Sequence, residues 1–169
     1  MRNATHFTLA SLLTAGLLLP ALVAVAPAQK KASHKEWPKI DGKLIVNRND
    51  RETPLQGLRH KHNELLGGHG DDTITAGAIG DVMWGDYKPS GQPTTQRDVI
   101  NGGPGKDHIY ASHGTNTITS GGGADWIHAH FGRGTITCAN SKPLIFLSHR
   151  SQRHYKLHGC TRITFRSSL

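Results

Sequence analysis

The sequence lacks the short motifs that mark the common catalytic sites. It contains no HExxH, no P-loop and no GxSxG. Serine and histidine are neighbours at Ser112-His113 and at Ser148-His149. Adjacent side chains point to opposite faces of an extended chain, so they make a poor nucleophile–base pair. An enzyme that used the histidines on polysaccharide would need paired carboxylates or a triad, and the sequence supports neither. We therefore expect no enzyme.

Long apolar runs are absent after the N-terminal stretch from Phe7 to Ala26, which follows Arg2. Ala26-Pro27-Ala28 supplies the small residues that a signal peptidase reads. The alternative is an uncleaved membrane anchor, because the stretch is nearly long enough to span a bilayer. Polar residues and a proline interrupt it, however, and no second apolar stretch follows. The sequence predicts a signal peptide, a secreted or cell-surface protein, and no transmembrane segment after cleavage.

Cysteine is scarce, and Cys138 and Cys160 are the only two. In the oxidising compartment that export implies, an isolated pair most often forms one disulfide. A metal-binding pair is the weaker interpretation, because no CxxC spacing or nearby cysteine cluster supports it. We expect one disulfide, which would fasten the C-terminal segment over the last repeat.

Acidic residues are absent from the C-terminal part, so the net charge of +8 is unevenly distributed. Residues 1–59 carry nine Lys/Arg and four Asp/Glu. Residues 60–137 carry five Lys/Arg and eight Asp/Glu, and residues 138–169 carry six Lys/Arg and no Asp/Glu. The central block is therefore acidic and lies between two basic flanks. This block is compatible with cation binding, whereas the flanks suit anionic partners.

An apolar residue recurs every nine residues through the centre of the chain. The series comprises Ile100, Ile109, Ile118, Ile127, Ile136 and Ile145, with Ile74 and Met83 nine apart upstream. Residues 67–75 and 102–110 both fit G-G-x-G-x-D-x-U-x. Alternate nonapeptides resemble each other most, which indicates a coil of eighteen residues with two short strands and two turns. The sequence predicts an all-β parallel solenoid in which residue i lies over residue i+18.

The residue types suit such a coil. In each x-U-x triplet only the central side chain points inward, where a β-branched apolar residue packs well. The turns reverse the chain within six residues, and glycine allows the positive φ that this requires. Each coil buries only two large side chains. The core is therefore thin, and stability depends on stacking, end caps and bound ions.

The eighteen-residue register places Asp107 directly over Asp125, at a rung spacing of about 4.8 Å. Two carboxylates at that separation repel each other by roughly 1–3 kcal/mol. A hard divalent cation held by carboxylates and turn carbonyls would relieve this repulsion. Ligation by oxygen alone favours calcium.

Residues 67–137 resemble the hemolysin-type (RTX) calcium-binding repeat family. The resemblance implies a right-handed parallel β-roll in which Ca2+ lies between stacked turns. In that family the sixth-position aspartate and carbonyls of the glycine turn hold the ion. The matching aspartates are Asp72, Asp81, Asp98, Asp107 and Asp125. The matching turn glycines are Gly67, Gly68, Gly70, Gly102, Gly103, Gly105, Gly121, Gly122 and Gly123.

Two turns depart from the family pattern. Asn116 and Gly134 occupy the aspartate position in turns that share one edge of the coil, and Pro143 ends the series on the other edge. We expect one calcium edge, one edge that has lost its carboxylates, and few ions. A solenoid that kept its shape and lost its metal is the alternative.

The second edge has a histidine pattern of its own. His113, Phe131 and His149 are predicted to stack at one position. Imidazoles can bind zinc or copper, but Phe131 separates the two histidines. Packing is therefore the favoured interpretation of this row.

The chain divides into a signal peptide at 1–28, a basic spacer with a first strand at 29–57, a repeat domain at 58–147 and a basic C-terminal cap at 148–169. A loop insertion at 85–97 falls where no apolar residue stands at the expected rung. The favoured function is a secreted Ca2+-binding repeat protein with a structural or binding role. The alternative is a cell-envelope adhesion module, a metal-free solenoid whose basic flanks bind anionic polymers or lipids. We expect no nucleic-acid partner.

Overall fold

The computed structural model describes residues 37–48, 51–52, 54–87, 91, 93–139 and 142–166. The predicted signal peptide, the first part of the predicted spacer and part of the predicted loop insertion lie outside the described residues. Within the described ranges, no helix is both long enough and apolar enough to cross a membrane.

The described residues form short strands that alternate between two sheets. The sheet that we call the odd sheet contains β1 (Leu44–Val46), β3 (Glu64–Leu66), β5 (Val82–Trp84), β7 (His108–Tyr110), β9 (Trp126–Ala129), β11 (Leu144–Leu147) and β13 (Arg162–Thr164). The even sheet contains β2 (Pro54–Gln56), β4 (Thr73–Thr75), β6 (Arg97–Asn101), β8 (Thr115–Thr119), β10 (Arg133–Thr137) and β12 (Tyr155–His158). A short 3-10 helix, Ser151–Arg153, precedes β12.

Strands that neighbour each other in a sheet are parallel and come from successive coils. In the odd sheet Ile109 pairs with Ile127, which in turn pairs with Ile145. In the even sheet Ile118 pairs with Ile136. Each pair is eighteen residues apart, and about six coils stack in this way. The predicted all-β parallel solenoid with eighteen-residue coils is confirmed.

The core is a double row made by the apolar residue at the centre of each x-U-x triplet. Leu55, Leu65, Ile74, Met83, Ile100, Ile109, Ile118, Ile127, Ile136 and Ile145 are buried almost completely. Leu58, by contrast, is 40% exposed. It lies in the turn after β2, where a side chain has no facing strand to pack against. Each sheet therefore contributes one file of large side chains to the core, and Leu147 of β11 adds a second buried side chain to that strand.

The two sheets continue beyond the clear repeats. β12 pairs with β10 and β13 pairs with β11, so the predicted basic C-terminal cap contributes a strand to each sheet. Ile163 keeps the eighteen-residue step from Ile145. Leu157 pairs with Ile136, which is 21 residues earlier rather than 18, because the 3-10 helix lengthens the turn before β12. The limits of the proposed segments stay predictions.

A disulfide joins Cys138 to Cys160, with their Cα atoms 5.1 Å apart. Cys138 directly follows β10, and Cys160 lies between β12 and β13. The predicted bridge is confirmed, and it links the turns of the last two coils.

Candidate metal centre

The turns between the sheets form two edges of the solenoid. Edge 1 comprises the turns that leave the odd sheet, and edge 2 comprises those that leave the even sheet. On edge 2 the aspartate position holds Asp81, Asp107 and Asp125. On edge 1 it holds Asp72, Asp98, Asn116 and Gly134 in succession. The prediction that this edge has lost its carboxylates is therefore wrong for its first half, because the loop insertion separates Asp72 from Asp98 by 26 residues rather than 18.

The edge 2 aspartates form a hydrogen-bonded ladder between coils. The backbone N–H of Asp107 donates to Oδ1 of Asp125 over 2.9 Å, and that of Asp81 donates to Oδ1 of Asp107 over 2.7 Å. Asn63 continues the row by donating its N–H to Asp81 over 2.6 Å. Each carboxylate therefore compensates a peptide dipole of the preceding coil.

The second carboxylate oxygen holds the aspartate's own turn. Gly103 donates its N–H to Oδ2 of Asp107 over 2.7 Å, and Gly77 does the same to Asp81. Backbone N–H groups thus relieve part of the repulsion that the sequence predicted between stacked carboxylates. Each of these aspartates consequently stabilises its own turn, besides offering oxygen atoms to an ion.

Burial sets the charge state of this ladder. Asp107 and Asp125 are fully buried, and desolvation raises the pKa of each to about 7, with a further contribution from the aspartate of the preceding coil. On edge 1, burial likewise raises the pKa of Asp98 to about 7 and raises the pKa of Asp72. At neutral pH Asp98, Asp107 and Asp125 are therefore partly protonated, and a cation that binds their carboxylates would displace the protons.

The glycine turns allow the coils to approach each other closely. Gly121 and Gly123 have φ values of 76° and 75°, which side chains disfavour. A Cβ at Gly121 would collide with the carbonyl oxygen of Gly103, and a Cβ at Gly123 with that of Gly105. Turn carbonyls of one coil thus lie against the turn of the next, immediately beside the aspartate ladder.

Edge 1 shows how the turn closes without a carboxylate. Oδ1 of Asn116 accepts a hydrogen bond from the N–H of Ser112, and its Nδ2 donates to Ser112 O and to Tyr155 Oη, all within 3.1 Å. Asn116 thus replaces the aspartate in holding the turn and brings no charge. The next position, Gly134, has no side chain to take part.

The stacked Gly/Asp turns match one family model. The model of the RTX calcium-binding nonapeptide repeat matches residues 62–86 and 94–136 as four copies. The residues of these coils are thus similar to RTX calcium-binding nonapeptide repeats. Neither the search of curated proteins nor the search of solved structures found a match. RTX calcium-binding repeats arranged as a β-solenoid fit a calcium-binding structural repeat protein.

The donor set of the RTX turns suits calcium better than a softer metal. Oδ2 of Asp125 is buried and accepts no hydrogen bond from the described residues, and the same is true of Oδ2 of Asp98 on edge 1. Among the described residues no three His, Cys, Asp or Glu side chains converge on one point. An ion here would take several ligands from backbone carbonyls, as calcium does and as zinc does not.

One buried carboxylate next to the RTX turns escaped the sequence analysis. Asp86 is the second residue of the predicted loop insertion, is 8% exposed and accepts a hydrogen bond from Gln96 Nε2 over 3.2 Å. Its other oxygen lies 3.6 Å from Nε2 of His69. Asp86 follows Gly68 by eighteen residues and takes the same turn position one coil later, and this spacing could have revealed it. The loop insertion interrupts the repeat and obscured this equivalence.

The predicted histidine row is only partly continuous. His113 stacks on Phe131 with ring centroids 4.5 Å apart, whereas His149 stacks on Phe165 at 4.5 Å. These ring contacts agree with packing as the role of the row.

A longer aromatic stack lies on the odd sheet and was not foreseen. It runs through Trp84, Tyr110, His128 and Phe146, with centroids 4.0–4.6 Å apart and planes within 8° of parallel. Burial lowers the pKa of His128 to about 4. The eighteen-residue step from Tyr110 to His128 to Phe146 was the signal that could have revealed it.

Proposed function

We propose that this chain is a secreted protein whose RTX turns bind calcium and use it to hold the coils together. Asp107 and Asp125 of edge 2 would supply carboxylate oxygens. The turn carbonyls of residues 102–105 and 121–123 would supply the remaining protein ligands, with Asp81 extending the row. On edge 1, Asp72, Asp98 and the turn of Gly67, Gly68 and Gly70 would form the equivalent set. Bound calcium supplies a positive charge that offsets the buried carboxylates.

The observation that carries the proposal is the stacking of buried aspartates against close-packed turn carbonyls. Asp107 and Asp125 are both fully buried, on adjacent coils, without a cationic side chain as a hydrogen-bond partner among the described residues. A buried acid in such a place stays neutral or takes a counter-ion. Calcium is the counter-ion that oxygen ligands in glycine turns favour.

Direct calcium titration by calorimetry tests this assignment. Asp107→Asn and Asp125→Asn should each weaken calcium binding at least about tenfold, because each removes a charged ligand. Both variants keep the turn closed, since Asn116 shows that asparagine can hold such a turn. Glu52→Gln is the matched control, because Glu52 is an exposed acid in the first turn of edge 1 and does not belong to the edge 2 turns of Asp107 and Asp125. Equal affinity in all four proteins would refute calcium binding at edge 2.

Secretion rests on the N-terminal sequence alone. Expression of the full chain in an exporting host should yield a mature protein that begins at Gln29, as read by N-terminal sequencing. Retention of the complete N-terminus on membranes would favour the anchor.

A cell-envelope adhesion module is the second candidate function. Four exposed cations, Arg153, Lys156, Arg162 and Arg166, lie at the C-terminal end of the solenoid, and the described residues from 142 to 166 include no acid. A cationic end of this kind attracts anionic polymers. Salt-sensitive retention on isolated envelope would support this role, and retention that salt does not alter would contradict it.

A further inference from the structure

Edge 1 changes its charge along the solenoid. Its first half carries the buried acids Asp72, Asp86 and Asp98. Beyond Asn116 the acids stop, and the exposed side chains of Arg133 and Arg150 follow. The coils without an aspartate on edge 1 thus carry exposed arginines instead, so this half of the edge suits an anionic ligand rather than a cation.

A groove of about 690 Å3 opens in the cationic half of edge 1. Its described lining includes Arg133, Arg150, His113, His130 and His154 and contains no acidic residue. This volume is in the range of small-molecule sites. None of the predicted calcium residues lines the groove, so its side chains are distinct from the proposed calcium ligands.

Several contacts hold the groove in place before any ligand binds. Nη2 of Arg133 donates a hydrogen bond of 3.1 Å to the carbonyl of Thr94 in the insertion loop. The hydroxyl of Tyr155 donates to the carbonyl of Phe131 over 2.9 Å, and that of Ser148 donates to the carbonyl of His130 over 2.8 Å. Arg133 is therefore anchored at one nitrogen and can use its others for a ligand.

The groove also has an aromatic wall. Phe131 is 58% exposed, and its ring stacks on His113 at 4.5 Å with an interplanar angle of 19°. A large exposed ring beside cations offers a flat surface on which a ligand ring can lie. The site thus combines two guanidinium groups with a stacking platform.

We propose that this groove binds a phosphate monoester attached to a ring, such as a sugar phosphate or a nucleotide. A phosphate monoester carries a charge of about −1.5 to −2 at neutral pH and three acceptor oxygens. The guanidinium groups of Arg133 and Arg150 match such an oxyanion through paired N–H donors. The attached ring would lie on Phe131. Sugar phosphates and nucleotides share this chemistry, and the test below separates them.

Calorimetric titration in millimolar calcium would use glucose 6-phosphate, adenosine 5′-monophosphate and inorganic phosphate, with glucose and adenosine as uncharged parents. At least one ring phosphate should bind about tenfold tighter than inorganic phosphate, and neither parent should bind. The tighter of the two identifies the ring as a sugar or a base. Inorganic phosphate that binds as tightly as both ring phosphates, or no binding by either ring phosphate, would overturn the proposal.

Variants locate the binding in the groove. Arg150→Gln should weaken ring-phosphate binding about tenfold, and Phe131→Ser should remove the advantage over inorganic phosphate. Arg153→Gln is the control, because it removes the same charge from an exposed neighbour that does not line the groove. Equal losses in Arg150→Gln and Arg153→Gln would show diffuse electrostatic attraction and would overturn the proposal. Arg133→Gln serves as a second variant if Arg150→Gln does not reach the wild-type melting temperature.

Discussion

The backbone N–H of Asp107 donates a hydrogen bond of 2.9 Å to Oδ1 of Asp125, eighteen residues farther along the chain. This bond joins two successive coils at the position where the repeat places its acid. It means that the aspartate ladder contributes to the stacking of the coils even without an ion. It also ties the stability of the solenoid to the protonation of buried carboxyls.

The first prediction concerns pH in the absence of calcium. The pKa of Asp107 and of Asp125 is about 7 in the folded state and near 4 in the unfolded chain. Between these values the folded state holds more protons, so stability falls as pH rises from about 4 to 7. Relative to the double variant D107N/D125N, the free energy of unfolding of the wild type should fall by about 1.4 kcal/mol per pH unit for each proton that the folded state binds and the unfolded state does not.

Urea unfolding of both proteins in chelator, across this pH range, measures the difference. A difference in the free energy of unfolding that stays constant with pH would contradict the assigned charge states. Millimolar calcium should reverse the trend for the wild type, because calcium binds the deprotonated carboxylates.

The second prediction concerns His128, whose pH effect has the opposite sign. Burial lowers its pKa to about 4 in the folded protein, against about 6.5 in the unfolded chain. The wild type should therefore lose stability relative to His128→Phe as pH falls from about 6.5 to 4. Phenylalanine keeps the ring stack between Tyr110 and Phe146. Urea unfolding at several pH values measures this. If the difference in the free energy of unfolding between the two proteins did not change with pH, the lowered pKa of His128 would be refuted.

The third prediction concerns the thin core. Ile118 is fully buried between Ile100 and Ile136, so Ile118→Ala should lower the free energy of unfolding by about 2–4 kcal/mol. Val99→Ala is the control, because Val99 is 38% exposed on the outer face of the same sheet. Chemical denaturation measures both changes. Similar losses in the two variants would show that the inner row does not form the core.

The fourth prediction concerns the bridge between Cys138 and Cys160. The double variant C138A/C160A should be less stable by about 3 kcal/mol, through the added freedom of the unfolded chain. It should unfold first at β12 and β13, which the bridge fastens to the preceding coil. Hydrogen exchange would detect that local loss. Unchanged exchange in both strands would argue against the fastening role.

The sequence predicted the fold because its main signal is a strict period. Isoleucine at each inward position leaves one register that buries the whole row, and glycine with aspartate marks the turns between. Where the period breaks, the prediction fails. The loop before Arg97 interrupts the eighteen-residue step, so the sequence did not show that Asp72 and Asp98 share an edge with Asn116. The 3-10 helix at Ser151–Arg153 interrupts it again, so strands β12 and β13 were not predicted.

Other features depend on contacts that no period contains. The hydrogen bonds from turn N–H groups to Asp107 and Asp125 require the backbone geometry of two coils at once. The burial of Asp86 depends on how the insertion loop folds back. The groove beside Phe131 forms because β12 and the preceding 3-10 helix follow the clear repeats. These features are tertiary, so composition and spacing could not reveal them.

Thermal unfolding followed by circular dichroism, in millimolar calcium and in chelator, tests the central claim most directly. Calcium that binds only the folded solenoid adds about 2.7 kcal/mol of stability at a hundredfold excess over Kd. The melting temperature of the wild type should therefore rise by several degrees with calcium. That of D107N/D125N should rise much less, because the variant lacks two of the three stacked carboxylates of edge 2. If the wild type melts at the same temperature in calcium and in chelator, the RTX turns of this protein do not use calcium to hold the coils together.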